Sequence, residues 1–243
     1  MNTGMEIKIT PIRLSFIFGL MVAALVSAHV VTQTIRFATG DNFLLGLEPL
    51  FNIGSDGNIP TFYSAVAILF CALLLILIAR ASRKDRYRSI GYWYGMAGVF
   101  VFLSVDEMLM LHERAIEPLR TMFDASGLFY YAWVLPYGIG VLVFVAIYAR
   151  FLFRLRRRTR VLFLTAGTIY VLGAVGVEML SGLYFETHGG SNPVYVALQT
   201  VEETLEMSGI VLFIFALADY LDHQFDGLRF ILSSSPSSTD KIS

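Results

Sequence analysis

A single cysteine, Cys71, in a chain of 243 residues excludes both a disulfide framework and a cysteine-rich metal site. Charge is also scarce. Asp, Glu, Lys and Arg make up 15% of the residues, against about a quarter in an ordinary soluble domain. The net charge of −1 carries no basic excess of the kind that nucleic acid demands. No internal repeat stands out, although three helices in each half would permit the inverted repeat of many transporters.

What the chain has in excess is apolar residues, 56% of the total, with a mean hydropathy of +0.66. They gather in blocks long enough to cross a bilayer, which takes about 20 residues. The six blocks are 12–37, 61–79, 90–111, 128–153, 161–184 and 195–221. The fold expected is therefore all-α: a polytopic bundle of six transmembrane helices in one domain over residues 1–228, embedded in a lipid bilayer. The Ser-rich stretch 229–243 reads as a disordered tail. The first block is too long for a signal peptide and lacks a cleavage site, so it is read as retained.

Basic residues cluster in RASRKDRYR (80–88) and RLRRRTR (154–160). Short loops rich in Lys and Arg stay in the cytoplasm. Both termini then lie inside, and the loops 38–60, 112–127 and 185–194 face out. In the first outer loop FLLGLEPLF is an interfacial stretch, and NIGSDGNIP is turn chemistry ahead of a helix. A calcium loop through Asp56 and Asn58 has too short a ligand series and is set aside for a plain turn. Tyr130, Tyr131 and Trp133 read as interface anchors. His188 and His223 read as surface residues.

Against this apolar background the acids are misplaced. LSVDEMLMLHE puts Asp106, Glu107, His112 and Glu113 at the outer end of the third block. At about 1.5 Å per residue, Asp106 lies roughly 24 Å above the inner end. Glu178 in the fifth block reaches a similar level, as do Glu202, Glu203 and Glu206 in the sixth. His29 joins them from the first. Helical phase sets Asp106 and Glu113 on one face, and Glu202, Glu203 and Glu206 within one arc. Ionisable side chains in lipid face the bundle interior, because exposure costs several kcal/mol. Arg36, Arg114 and Arg120 stand near the outer boundary and can offset part of the charge, but seven carboxylates in a poorly solvated site cannot all ionise, so the cluster takes up protons or binds a cation.

Three functions fit. The first is a divalent metal centre, holding Fe, Zn or Mn, in a membrane enzyme of hydrolytic or oxidative type. His29, Asp106, His112, Glu113, Glu178, Glu202 and Glu206 are its candidate ligands. Glu107 and Glu203 are the candidate catalytic groups, acting as general base or supporting the ligands. The spacing departs from the Glu-x-x-His of di-iron bundles, since His112 follows Glu107 by five. The second is a proton- or cation-coupled transporter, in which a homodimer could supply what one chain lacks. The third is a structural or assembly subunit.

GNIPTFYSA, LSVDEMLMLHE, YYAWVLP, VEMLSG and VEETLEMSG together resemble an uncharacterised family of bacterial multi-pass inner-membrane proteins. Its marks are a DE…HE motif in the third helix and an EExxE motif in the last. The resemblance implies a bacterial inner-membrane location and a shared acid signature; it brings no activity, substrate or cofactor.

Overall fold

The computed structural model describes residues 5–82, 90–225 and 228–232, of which 5–9 and 228–232 by their backbone alone. Capping chemistry sets where several helices begin. Thr10 accepts the Arg13 N–H at the start of α1 (Pro11–Thr39), and Pro11 occupies its first turn. Asn58 does the same for α3 (Ile59–Ala81), accepting the Thr61 N–H at 3.2 Å. Asn192 caps α9 (Pro193–Phe225) through the Tyr195 N–H at 3.0 Å. Gly40 ends α1 in the left-handed conformation that glycine adopts at little cost. Between them lie the short α2 (Leu47–Phe51), α4 (Ile90–Leu109), α5 (Leu111–Phe123) and α6 (Val134–Arg154). Then a nearly continuous run joins α7 (Arg157–Val171), a π-helical segment (Leu172–Val177) and α8 (Glu178–His188).

Among the described residues, α1, α3, α6, the α7–α8 run and α9 are each long and apolar enough to cross a membrane. A sixth crossing is present if α4 and α5, bent by 80° at their junction, form one broken span. The third block thus differs from the straight helix expected over 90–111. The start of the fourth also shifts: Gly127–Phe129 form a 3-10 turn, and α6 begins only at Val134.

Helix α3 is the inner element. Ala65, Ala67, Cys71, Leu75, Ile78 and Ala79 are fully buried where it packs against α4 and α9. Helix α9 in turn packs against α1 and α7. Helices α1 and α6 expose bands of Ile, Leu, Val and Phe, such as Phe16 and Leu142. Backbone groups satisfied inside helices, with apolar side chains outside, are what a bilayer requires. Lipid is as apolar as leucine, so close packing and buried hydrogen bonds hold such a bundle together. Ser104 donates to the Ala65 carbonyl at 2.8 Å. A Cβ at Gly209 would come within 2.8 Å of the Tyr170 nitrogen, so glycine permits the α7–α9 approach.

Trp93 marks one end of the bundle. From the start of α4 it meets Phe151 near the end of α6 (5.0 Å), Phe163 near the start of α7 (6.2 Å) and Tyr220 near the end of α9 (5.0 Å). The arginines of the α6–α7 turn lie at this end. So do β1 (Met5–Ile9) and β2 (Leu228–Leu232), which precede α1 and follow α9 as an antiparallel ribbon, Met5 opposite Leu232. The ribbon is a small terminal addition to a chain that is otherwise helical among the described residues. It also removes residues 229–232 from the tail expected to be disordered, because their backbone finds a partner strand. The remaining tail, 233–243, and most of the basic loop 80–88, at 83–88, lie outside the described residues.

Candidate metal centre

The opposite end is organised by one backbone reversal. Met110 adopts left-handed backbone (φ 53°), ending α4 and turning the chain into α5. Such a conformation costs a non-glycine residue about 1 kcal/mol or more. Asp106 offsets it by holding both sides of the turn. Its Oδ1 accepts the His112 backbone N–H at 3.2 Å, and its Oδ2 accepts the His112 Nδ1–H at 2.9 Å. Asp106 thereby serves the start of α5 as a capping side chain from the previous helix. Tyr137 of α6 donates its hydroxyl to Asp106 Oδ1 at 2.6 Å. Trp133 packs against the His112 ring at 4.9 Å.

With Nδ1 engaged, Nε2 is the ring nitrogen left to take a ligand. A carboxylate that fixes the tautomer and aim of an imidazole is the usual support of a metal-bound histidine. Helix α5 lies beyond the end of the α4 span. There burial lowers the His112 pKa, but the hydrogen bond it donates to Asp106 and the charges of Asp106, Glu107 and Glu113 outweigh it, giving about 9.

Asp56 reaches the same point from the loop between α2 and α3. The loop is tied down on several sides. Asn58 Nδ2 donates to the Asn52 carbonyl (2.6 Å) and the Ser55 carbonyl (2.7 Å), and Gln199 Nε2 donates to the Gly54 carbonyl (2.8 Å). His29 Nδ1 accepts the Ile53 N–H at 3.1 Å. Gly57 takes a positive φ of 77° next to Asp56. One donor atom each from Asp56, His112 and Glu113 lies within 4.8 Å of the others. Ligands at 2.0–2.2 Å from a tetrahedral ion stand about 3.4 Å apart. The three donors therefore fit a divalent ion after a modest inward rotation, which the exposed Glu113 is free to make. Burial raises the Asp56 carboxyl pKa, and the nearby His112 charge lowers it in part.

Beneath this trio lies a second tier of acids. Glu178 accepts the Trp133 Nε1–H at 3.0 Å, and Ser181 donates to Glu202 Oε2 at 2.9 Å. The Glu178 and Glu202 carboxyls lie close enough to interact, an approach that like charges disfavour unless a proton or a cation lies between them. Glu178 follows directly on the π-helical segment, and π-bulges recur at functional sites. Within that segment Gly173 lets α9 come close: a Cβ there would meet the Glu202 carbonyl at 2.8 Å and Glu206 Cγ at 2.9 Å. Glu107, Glu203 and Glu206 interact electrostatically with one another and with Asp56.

The structure thus brings Asp106, Glu107, His112, Glu113, Glu178, Glu202, Glu203 and Glu206 together at one end, with five corrections. His29 is not available as a ligand: it is 1% exposed, Nδ1 is held by Ile53, and Nε2 lies 3.1 Å from the Thr200 hydroxyl. Its role is to fasten the α2–α3 loop to α1 and α9. Both Asp106 oxygens are already hydrogen-bonded, which makes Asp106 the support of His112 and not a free donor. Trp133 is 7% exposed and bonded to Glu178, so it belongs to the site and not to an interface belt. Asp56, set aside in the sequence as part of a plain turn, is in the trio; its only signal was an acid beside two glycines in a loop rich in capping residues. The helical phase shared by Asp106 and Glu113 does not survive the bend at Met110, although the bend itself brings α5 back to Asp106. Arg36 and Arg120 pair with Glu48 and Glu117, and among the described residues neither meets the cluster.

The chain belongs to a family whose model, described as a domain of unknown function (DUF8692), matches residues 15–221. That range contains both tiers of acids. No curated protein and no solved structure is similar to the chain.

Proposed function

We propose that this is a metal-dependent membrane enzyme whose ion is held by Asp56, His112 and Glu113 at the outer end of the bundle. One observation carries the reading: three donor side chains converge within 4.8 Å while a buried carboxylate fixes the histidine among them. Three protein ligands with a further position open to water is the arrangement of catalytic zinc and related sites. A divalent ion there supplies a polarised water for hydrolysis, or oxygen chemistry if it is iron. The chain's own part is to hold and orient. Asp106 and Tyr137 aim His112, and Glu107, which lies in electrostatic reach of His112 and Asp56, is the group placed to take a proton. Glu203 and the Glu178–Glu202 pair form a proton reserve behind it.

The proposed setting is a bacterial inner membrane crossed six times, with α4 as the third crossing and α5 lying outside it at the periplasmic end. The basic ends and both termini face the cytoplasm, and the acids face the periplasm. Elemental analysis of protein purified without added metal tests the site: about one zinc, manganese or iron per chain is expected, lost in Asp56→Ala. Metal-free wild type that also ignores added metal sinks the reading.

The lower tier supports a second reading, a proton- or cation-coupled transporter. Glu206, Glu203 and Glu107 extend the acid cluster into the bundle towards Tyr170, a longer array than a single metal site needs. Ion-driven flux in proteoliposomes, abolished by Glu203→Gln, would favour it.

A further inference from the structure

The other end of the bundle carries a different chemistry. Within seven residues of the α6–α7 turn stand Arg154, Arg156, Arg157, Arg158 and Arg160, and no acid lies in the first turn of α7. Cations at that end of a helix add to its dipole and are disfavoured unless an anion faces them. Two of the five are already committed. Arg158 makes a bidentate pair with the buried Asp219, at 2.8 and 3.0 Å, and Arg160 donates to the Phe153 carbonyl at 3.1 Å. Arg154, Arg156 and Arg157 are exposed, and among the described residues no carboxylate pairs with them.

An open groove lies at this turn, lined by Arg157, Arg158, Val161 and Leu162, with Arg154 and Arg156 close by in the chain. Its surroundings are apolar and uncovered: Phe153, Val161 and Leu164 are each about half exposed or more. Guanidinium groups at the level where a helix leaves the hydrocarbon, with an aliphatic wall directly below, match a molecule that is anionic at one end and apolar at the other. We propose that this groove seats an anionic phospholipid of the cytoplasmic leaflet. The phosphate meets Arg154, Arg156 and Arg157, and an acyl chain lies along Val161 and Leu164. Arg158 is anchored by Asp219 and fixes the groove's edge. A soluble anion satisfies the arginines but has no use for the wall, and a neutral lipid has no use for the arginines.

The experiment is native mass spectrometry of the full chain in detergent, titrated with phosphatidylglycerol, cardiolipin or phosphatidylcholine. Retention of the anionic lipids in preference to phosphatidylcholine is expected. Arg156→Gln and Arg157→Gln should each weaken that retention about five-fold, and the Arg154→Gln/Arg156→Gln/Arg157→Gln variant should abolish the preference. Substituting Arg80, at the end of α3, should change it little. The proposal is overturned if wild type holds phosphatidylcholine equally well, or if the triple variant keeps the preference. It is also overturned if millimolar inorganic phosphate displaces the lipid completely, which would assign the arginines to a soluble anion. The wild-type comparison stands even if the triple variant fails to fold.

Discussion

Asp106 and His112 are joined twice across the bend at Met110, by the ring Nδ1–H at 2.9 Å and by the backbone N–H at 3.2 Å. The first bond governs a charge and the second a fold, so Asp106→Asn separates them. The amide keeps an oxygen for the backbone N–H but loses the negative charge that holds the proton on His112. The His112 pKa should fall from about 9 towards or below the ordinary 6.5, because burial alone lowers it. The sign for stability follows from linkage. A pKa raised on folding contributes stability that is complete below 6.5 and is lost as pH rises through about 9. Metal-free wild type should therefore lose thermal stability between these values, and Asp106→Asn should lose much of that slope. Melting temperatures across the range, with an NMR titration of the imidazole, check both; an unchanged slope rejects the pairing.

A graded effect on metal affinity is expected from the same geometry. Asp56→Ala and Glu113→Ala delete proposed ligands and should empty the site at micromolar metal. Asp106→Ala leaves the trio intact but frees the imidazole, and a support of this kind is worth about 10–100-fold in affinity. His29→Gln should leave metal content unchanged while lowering the melting temperature, because its ring nitrogens serve Ile53 and Thr200. Calorimetric titration of the four variants would show the order. Equal losses in all four would mean that the trio acts only through the fold.

The spans were legible because a bilayer imposes a length and a composition that a one-dimensional pattern records directly. Five of the six apolar blocks coincide with helices long and apolar enough to cross a membrane, and the third does so only if α4 and α5 are taken together. The level of the acids was legible for the same reason, since depth is a count of residues. What the pattern could not carry was the bend. Met110 is an ordinary helix former, and its left-handed backbone is stabilised by Asp106, a contact that exists only once the turn has formed. Asp56 was missed because a loop acid has no periodicity to betray its direction; its place depends on Gln199 and His29 gripping the loop from other helices. Trp133 misled because an aromatic near a helix start is usually an interface anchor, and only its bond to Glu178 shows otherwise.

Trp133→Phe isolates that bond. The ring volume changes modestly, the contact with His112 is kept in large part, and the Nε1–H to Glu178 is deleted. Interhelical hydrogen bonds in membranes average about 0.6 kcal/mol and reach about 1.7 kcal/mol. A loss of about 1 kcal/mol is expected, read from unfolding in mixed micelles. Trp133→Ala should cost about 3 kcal/mol or more, as it also opens a cavity. A phenylalanine variant as stable as wild type would show that Glu178 finds another donor and that the indole matters only as filler.

Gly173→Ala tests whether the approach of α9 to the π-helical segment shapes the lower tier. The added methyl would sit 2.8 Å from the Glu202 carbonyl and 2.9 Å from Glu206 Cγ. The backbone carbonyl cannot swing aside as a side chain can, so the helices must separate. Overpacking of this kind costs about 1–3 kcal/mol. The movement should also draw Glu202 away from Ser181 and Glu178. Gly209→Ala provides the comparison. Its clash with Tyr170 and Ala166 is as severe, but it falls on the α7 side, nearly two helical turns further along α9 from Glu202. Both variants should unfold more readily than wild type. Only Gly173→Ala should shift the infrared carboxyl bands assigned, through Glu178→Gln and Glu202→Gln, to the shared pair. If Gly209→Ala shifts those bands equally, the coupling runs through general loosening of the bundle, and the π-helical segment has no special hold on the acids.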